Sequence, residues 1–240
     1  MRLAVVSDIH GNLPALQAVW EDLRHQGIDE VVCAGDLVNY GAFPDQVVEW
    51  VRQRKVPCVV GNHDLAVGTD QDLADYTFAP GRDPEVERES FRWSREHTSL
   101  AAKAFLRSLP QSLTLERASR TLLVFHGSPR SPREYLHADL GAAQLEQALD
   151  GATADFLLCG HTHRFQRRPT DHGVLVNAGS VGRPKDGDPR AGYACIDLNT
   201  GTVTERRVAY DLAAATAALL HRGLPAALAV ALKAGEEITG

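Results

Sequence analysis

Three short Val-rich runs near the start of the chain, "RLAVVSD", "EVVCAGD" and "VPCVVGNHD", set the first limit on its fold. None alternates apolar with polar residues, so each predicts a strand buried on both faces. Between them lie "LPALQAVWEDLRHQG", an amphipathic helix with proline near its start and glycine at its end, and "PDQVVEWVRQRK", a second helix. Buried strands joined by helices make parallel βαβ units, because the crossover helix covers the sheet it returns to. Trp20, Trp50 and Trp93 fall at helical spacing among apolar residues and read as core or helix-to-sheet packing.

Residues 65–110 form a charge-rich helical insert near the strand ends, "DPEVERESFRWSREHTSLAAKAFLRSLP" with Pro80 and Pro110 as punctuation. Arg82, Arg88, Arg92 and Arg95 read as its solvated face. Further on, "SLTLER", "TLLVFHG", "DFLLCGH", "RFQRRP", "GVLVNAGS", "AGYACIDL" and "GTVTERRVAY" are strands, with "GAAQLEQALDG" a helix among them. The alanine-rich segment 211–235 reads as two helices broken at "RGLP". Packing against the body is the favoured reading, and such a face also suits contact with a second copy. A single domain over 1–240 is the economical organisation.

Composition narrows the class. Apolar residues at 44% and charged ones at 23% are enough for a sizeable core. A net charge of −6 leaves no basic stripe for an extended nucleic-acid surface. Cys33, Cys58, Cys159 and Cys195 each sit in an apolar run without a C-x-x-C pair, so they read as buried thiols and a cytoplasmic location is expected. The apolar stretch at the N-terminus is too short for a signal peptide, and no run approaches the ~20 residues that span a bilayer.

The chemistry lies where the apolar runs end. "AVVSDIHGN" ends in Asp8 and His10, "VVCAGD" in Asp36, and "CVVGNHD" in Asn62, His63 and Asp64. "LLVFHGS" ends in His126, and "LLCGHTH" in His161 and His163. Carboxyl ends of strands are where α/β sheets place ligand sites. Any one of these histidines alone reads as a satisfied loop residue, and His25, His97, His137, His172 and His221 receive no role. Five strand ends of one character make a metal-site constellation. Asp8, His10, Asp36, Asn62, His126, His161 and His163 supply seven donors, which suits two ions sharing one carboxylate. Nitrogen and oxygen donors without thiolate suit Mn, Fe, Zn or Ni. Two dications against two aspartates and a bridging hydroxide leave a small positive charge, which favours an anionic phosphate ester.

"D-I-H", "G-D", "G-N-H-D", "H-G" and "G-H-T-H", in this order over residues 8–163, resemble the calcineurin-like metallophosphoesterase superfamily, and "NAGSVG" (177–182) extends the likeness to its small bacterial and archaeal branch. The resemblance implies an α/β fold, a four-layer αββα sandwich of two facing mixed sheets flanked by helices. It implies Asp8, His10 and His163 on one metal, Asn62, His126 and His161 on the other, and Asp36 between them. His63 would protonate the leaving group or bind phosphate, and Asp64 would orient its ring. Asn12 would support the ligands from behind.

Arg130 and Arg183 are candidate substrate contacts, with Lys185 and Arg190 nearby; ion pairs or solvated loops account for these side chains equally well. Tyr40 and Phe43 would stack on a base or aryl group, or pack the loop. The expected activity is hydrolysis of a phosphate ester by a metal-bound hydroxide, with diesters slightly preferred. Partners are small phosphate esters, nucleotide-derived ones included. Dinucleoside polyphosphate hydrolysis and monoester or protein phosphatase activity compete on the same site. A non-catalytic scaffold of this fold is disfavoured, since His63 and all seven donors are present.

Overall fold

A computed structural model describes residues 1–72 and 83–238. The chain opens with β1 (Arg2–Val6), α1 (Leu13–His25) and β2 (Glu30–Cys33). The side chain of Asn12 caps α1 by accepting from the Ala15 amide at 3.2 Å. β1 and β2 are parallel, as a strand–helix–strand unit requires.

After α2 (Pro44–Gln53), the expected third strand is reduced to a single parallel bridge between Cys33 and Cys58. Pro57 has no amide to give, and Val60 donates instead to the Pro110 carbonyl at 2.8 Å. The chain then turns directly into α3 (Asn62–Gly68), so the "GNHD" residues start a helix. The insert continues as α4 (Pro84–His97) and α5 (Leu100–Ser108). Pro80 and Arg82 lie outside the described residues, while Arg88 and Arg92 are exposed and Arg95 donates to the Gln71 carbonyl.

Then come β3 (Ser112–Arg117), β4 (Arg120–Phe125), α6 (Ala142–Leu149), β5 (Phe156–Cys159), β6 (Phe165–Thr170) and β7 (Gly173–Ala178). The chain ends in β8 (Ala191–Asp197), β9 (Thr202–Val208), α7 (Leu212–His221) and α8 (Ala226–Ala234). One sheet has the order β2-β1-β8-β9, the other β3-β4-β5-β7-β6, and both mix parallel with antiparallel pairs.

Side-chain alternation divides the core into layers. Leu3 and Val5 of β1, with Ala194 and Ile196 of β8, face Leu122, Val124, Phe156, Leu158 and Val176 of the other sheet. Ala4 and Val6 point the opposite way, onto α1, α2, α3 and α5. On the far side, Phe125, Leu157 and Leu175 pack on Leu145, Ala148 and Leu149, where α6 lies. This is the αββα order that the resemblance implies.

The tryptophans pack as expected: Trp20 of α1 meets Trp50 of α2 edge-on at 4.6 Å, with Arg54 over the Trp50 ring. α7 and α8 pack on Tyr40, Ala42 and Trp93, beside the loop that follows β2. All four cysteines are buried and unpaired. Among the described residues no helix is long and apolar enough to cross a membrane.

The two-sheet core should carry much of the stability. Leu158→Ala, in a fully buried position between the sheets, is expected to lower the unfolding free energy by about 2–5 kcal/mol. Leu100→Ala, at a site 81% exposed, should change it by less than about 0.5 kcal/mol. Urea unfolding midpoints of the two variants check this contrast.

Candidate metal centre

Both sheets deliver polar side chains to one place. Asp8 and His10 follow β1, Asp36 follows β2, Asn62 opens α3, His126 follows β4, and His161 and His163 follow β5. Backbone hydrogen bonds tie these loops together: Asp8 N donates to Gly35 O, His10 N to Asp36 O, and Gly160 N to His126 O. Across the sheets, the His161 amide donates to Asp8 Oδ2 at 2.9 Å.

Space is tight enough to require glycine at two points. A β-carbon on Gly160 would fall 2.5 Å from Asp8 Oδ2, and one on Gly61 would fall 2.0 Å from Asp36 Oδ1. The ligand-bearing residues themselves take unusual backbone. Asp8, His10, Asp36, His161 and His163 all have φ between 47° and 70°, in the left-handed region. Each such residue costs about 1–3 kcal/mol, a strain typical of sites whose surroundings over-determine them.

The imidazoles are aimed by main-chain carbonyls. Nδ1 of His10 donates to Val38 O (2.9 Å), that of His126 to Ala34 O (2.6 Å), and that of His163 to Arg183 O (2.6 Å). This leaves each Nε2 facing inward. His10 Nε2 stands 3.2 Å from His163 Nε2, and His163 Nε2 stands 3.2 Å from Asp8 Oδ1. His126 Nε2 stands 3.1 Å from Asn62 Oδ1 and 3.2 Å from Asp36 Oδ2.

Neutral rings so oriented confront lone pair with lone pair, an arrangement that only a cation or a proton relieves. Asp8 Oδ1, Asp36 Oδ2 and His161 Nε2 are buried without a hydrogen-bond partner. Donor atoms each about 2.1 Å from one ion stand roughly 3.0–3.4 Å apart, so the observed spacing fits metal ions. Two groups of donors emerge, Asp8 with His10 and His163, and Asp36 with His126 and His161. The two histidines of "GHTH" therefore divide between them. Thr162 faces away, its hydroxyl accepting from Asn177.

The electrostatics follow from burial. Desolvation works to raise Asp36, but the His126, His63 and His10 imidazoles outweigh it and hold this carboxyl well below the usual range. Desolvation likewise opposes a charge on His126, yet the carboxylates of Asp36 and Asp8 prevail and push it up to about 10. His161 and His163 lie well below the usual histidine range: burial comes first for both, then the charge of His126 for the former and of Lys185 for the latter. Neutral imidazole is the form that ligates a metal.

Asp64 does not orient His63. As the third residue of α3 its carboxylate folds back, accepting from Gly61 N (3.1 Å), Leu37 N (2.8 Å) and Val38 N (3.2 Å). Burial, with the charge of Asp36 second, pushes it up to about 7. His63 Nδ1 instead meets Asn39 Nδ2 at 2.9 Å.

Asn12 acts at one remove, donating to Gly182 O, while Gly182 N donates to Asp8 O. Arg130 is partly exposed and paired with Glu134. Arg183 is 4% exposed, lies 4.0 Å over the Tyr40 ring, and stands 3.7 Å from Glu237, which also holds Lys185. Arg190 pairs with Asp188. Tyr40 is buried with its ring against His10 and His63, and Phe43 lies under Arg222, so both follow the packing reading. Sequence reasoning missed Asn39 and also Tyr135, whose ring stacks on His161 at 3.8 Å.

Comparison with known proteins agrees with this geometry. A calcineurin-like phosphoesterase superfamily domain matches residues 1–201. An uncharacterised protein of Methanocaldococcus jannaschii, MJ0912, is 31% identical over 93% of both chains. The phosphodiesterase YfcE of Escherichia coli K12 is 31% identical over 82% of this chain and 88% of its own. A metallophosphoesterase from Sphaerobacter thermophilus superposes with a TM-score of 0.78 at 30% identity, covering 98% of this chain and 99% of that one. The protein PH1004 of Pyrococcus horikoshii shares the fold, with a TM-score of 0.85 at 22% identity over 98% and 99% of the two chains. With the motifs, the two donor groups and these relatives in agreement, the chain belongs to the calcineurin-like phosphoesterase superfamily and is a metal-dependent phosphoric ester hydrolase.

Proposed function

We propose that the centre holds two divalent transition-metal ions and hydrolyses phosphodiesters of small molecules. Asp8, His10 and His163 would hold one ion, and Asn62, His126 and His161 the other. The observation that carries this reading is the position of Asp36: its Oδ2 stands 3.7 Å from His10 Nε2 and 3.2 Å from His126 Nε2, within reach of both groups. Two ions there would acidify water and neutralise the charge that builds on the transferring phosphoryl group. The donor set is nitrogen and oxygen without thiolate, which supports manganese, with iron, nickel or zinc as substitutes.

The protein's own part is positioning. Asp8 and Asp36 bring two negative charges to the ions, so the loaded site keeps a positive excess that favours an anionic ester. His63 lies in the first turn of α3 with Nε2 4.0 Å from Asp36 Oδ2, placed to give a proton to the departing oxygen. Diester preference is supported by the relative that is named a phosphodiesterase. The buried, unpaired cysteines support a reducing compartment such as the cytoplasm.

Protein reconstituted with Mn²⁺ should retain close to two ions per chain by elemental analysis, and chelation should abolish turnover of bis(p-nitrophenyl) phosphate. A metal count near zero under those conditions would rule the reading out. His63→Ala should keep both ions and lower kcat by about 10²–10⁴-fold on an alkyl ester, the contribution typical of a general acid. Asp36→Ala should lose metal as well as activity. A side-by-side screen of diesters, monoesters and dinucleoside polyphosphates with the manganese-loaded protein decides the substrate class.

A further inference from the structure

A second group of charges lies beside the metal centre, on the segment that follows β7. Arg183 and Lys185 are both buried, each 4% exposed. Arg183 is joined to the centre through its backbone, since its carbonyl oxygen accepts from His163 Nδ1. Its guanidinium lies 4.0 Å over the Tyr40 ring, and the same ring meets the His10 and His63 imidazoles, each at 5.0 Å. Tyr40 is thus the partition between this arginine and the metal ligands. After burial, the charges of Lys185 and Arg183 help to hold His163 below the usual range, so both cations are felt at the centre.

The group that faces them comes from the segment after α8. This segment is anchored on both sides of Glu237: the Gly235 carbonyl accepts from Gly187 N at 2.9 Å, and Ile238 is buried at 2% exposure. Between these anchors the Glu237 carboxylate reaches the two cations unequally. Its Oε1 accepts from Lys185 Nζ at 2.9 Å, whereas its Oε2 stands 3.7 Å from Arg183 Nη2, beyond hydrogen-bond distance. Among the described residues, Nη1 and Nη2 of Arg183 are buried without a hydrogen-bond partner.

A buried donor left unpaired is costly, the more so when it is charged. The fork of a guanidinium matches the oxygens of a carboxylate or a phosphate. Here the carboxylate present is committed to Lys185 and does not span the fork as well. A phosphate group offers three acceptor oxygens in a tetrahedral array, enough to meet Lys185 with one and Arg183 with the others. Glu237 is the exposed member of the cluster, its side chain 33% accessible, so it can turn outward while Ile238 stays packed.

We infer that Arg183 and Lys185 form a site for a phosphate group other than the one being cleaved, and that Glu237 holds the place of this phosphate until it arrives. The inference rests on the reading of the centre as a phosphoesterase. It narrows the substrates to esters that carry a second phosphate.

The binding test uses inorganic phosphate and the manganese-loaded full chain. In equilibrium dialysis, wild-type protein should bind a phosphate that Arg183→Met loses at equal metal content. Glu237→Gln, which keeps an acceptor for Lys185 and removes the competing charge, should tighten that phosphate by about threefold or more. The substrate test compares kcat/KM for thymidine 3′-phosphate 5′-(p-nitrophenyl phosphate) and for the γ-(p-nitrophenyl) ester of thymidine triphosphate. Each is set against thymidine 5′-(p-nitrophenyl phosphate), which lacks a second phosphate. At least one ratio should exceed about ten, the worth of one charge-assisted hydrogen bond. Arg183→Met should collapse that ratio toward one, and Glu237→Gln should raise it.

Phosphate binding that Arg183→Met leaves intact, or wild-type ratios near one, would overturn the inference. Should Arg183→Met lose its metal, the Glu237→Gln affinity decides alone, and no change there overturns it. If no ester at all is hydrolysed while phosphate binding still depends on Arg183, the proposed function fails and the anion site stands. If esters are hydrolysed without such binding, only the present inference fails.

Discussion

Everything in this fold answers to the crowding of lone pairs at one buried point. Two carboxylates, four imidazoles and an amide oxygen converge where water is largely excluded, and several of their acceptor atoms stand 3.1–3.2 Å apart. Left to themselves these groups would swing apart or take up protons, as the elevated affinity of His126 illustrates. They stay because most are tethered away from the centre, His10, His126 and His163 through Nδ1 to carbonyls and the two carboxylates through their other oxygen to amides. Such preorganisation costs stability in the empty protein and lowers the reorganisation needed to bind a cation.

The tethers need a frame stiff enough to hold left-handed backbone at five of the donor residues. That frame is the pair of sheets. Asp8 and Asp36 come from one sheet, His126, His161 and His163 from the other, and the fully buried layer between them resists any relative sliding. A one-residue slip of β5 against β4 would turn His161 and His163 out of the centre, so strand register and site geometry are a single constraint.

The sequence was most legible where chemistry and periodicity coincide. An apolar run that gives way to Asp or His with a glycine close by announces both a buried strand and a loop at its carboxyl end, and this held for β1, β2, β4 and β5. Two misreadings have physical causes. "VPCVVGN" has the composition of a strand, but Pro57 removes a donor and the chain leaves the sheet for α3, so composition outran hydrogen bonding. Asp64 was assigned to its sequence neighbour His63, although side chains at successive helix positions point apart and a carboxylate in a first turn folds back onto backbone amides. The burial of Glu87, Ser90 and Ser94 on α4, where they hydrogen-bond to Tyr40 and Asn39, was invisible for a related reason: a polar stripe reads as a solvated face until something polar is known to lie opposite it. Tyr135 carried no signal at all, since only tertiary packing brings it onto His161.

The order β2-β1-β8-β9 bears on how the molecule comes into being. β1 is made well before β8, yet one of its two edges waits for that strand, whose last residue is Asp197. Throughout synthesis of the intervening chain that edge offers an apolar, unpaired template of the kind that invites wrong partners. The loop bearing His10 also depends on late arrivals, because Gly182 and Ser180 hold the Asp8 carbonyl. The centre therefore cannot take its final shape until the chain has been made at least through Gly182, long after the Asp8 loop itself.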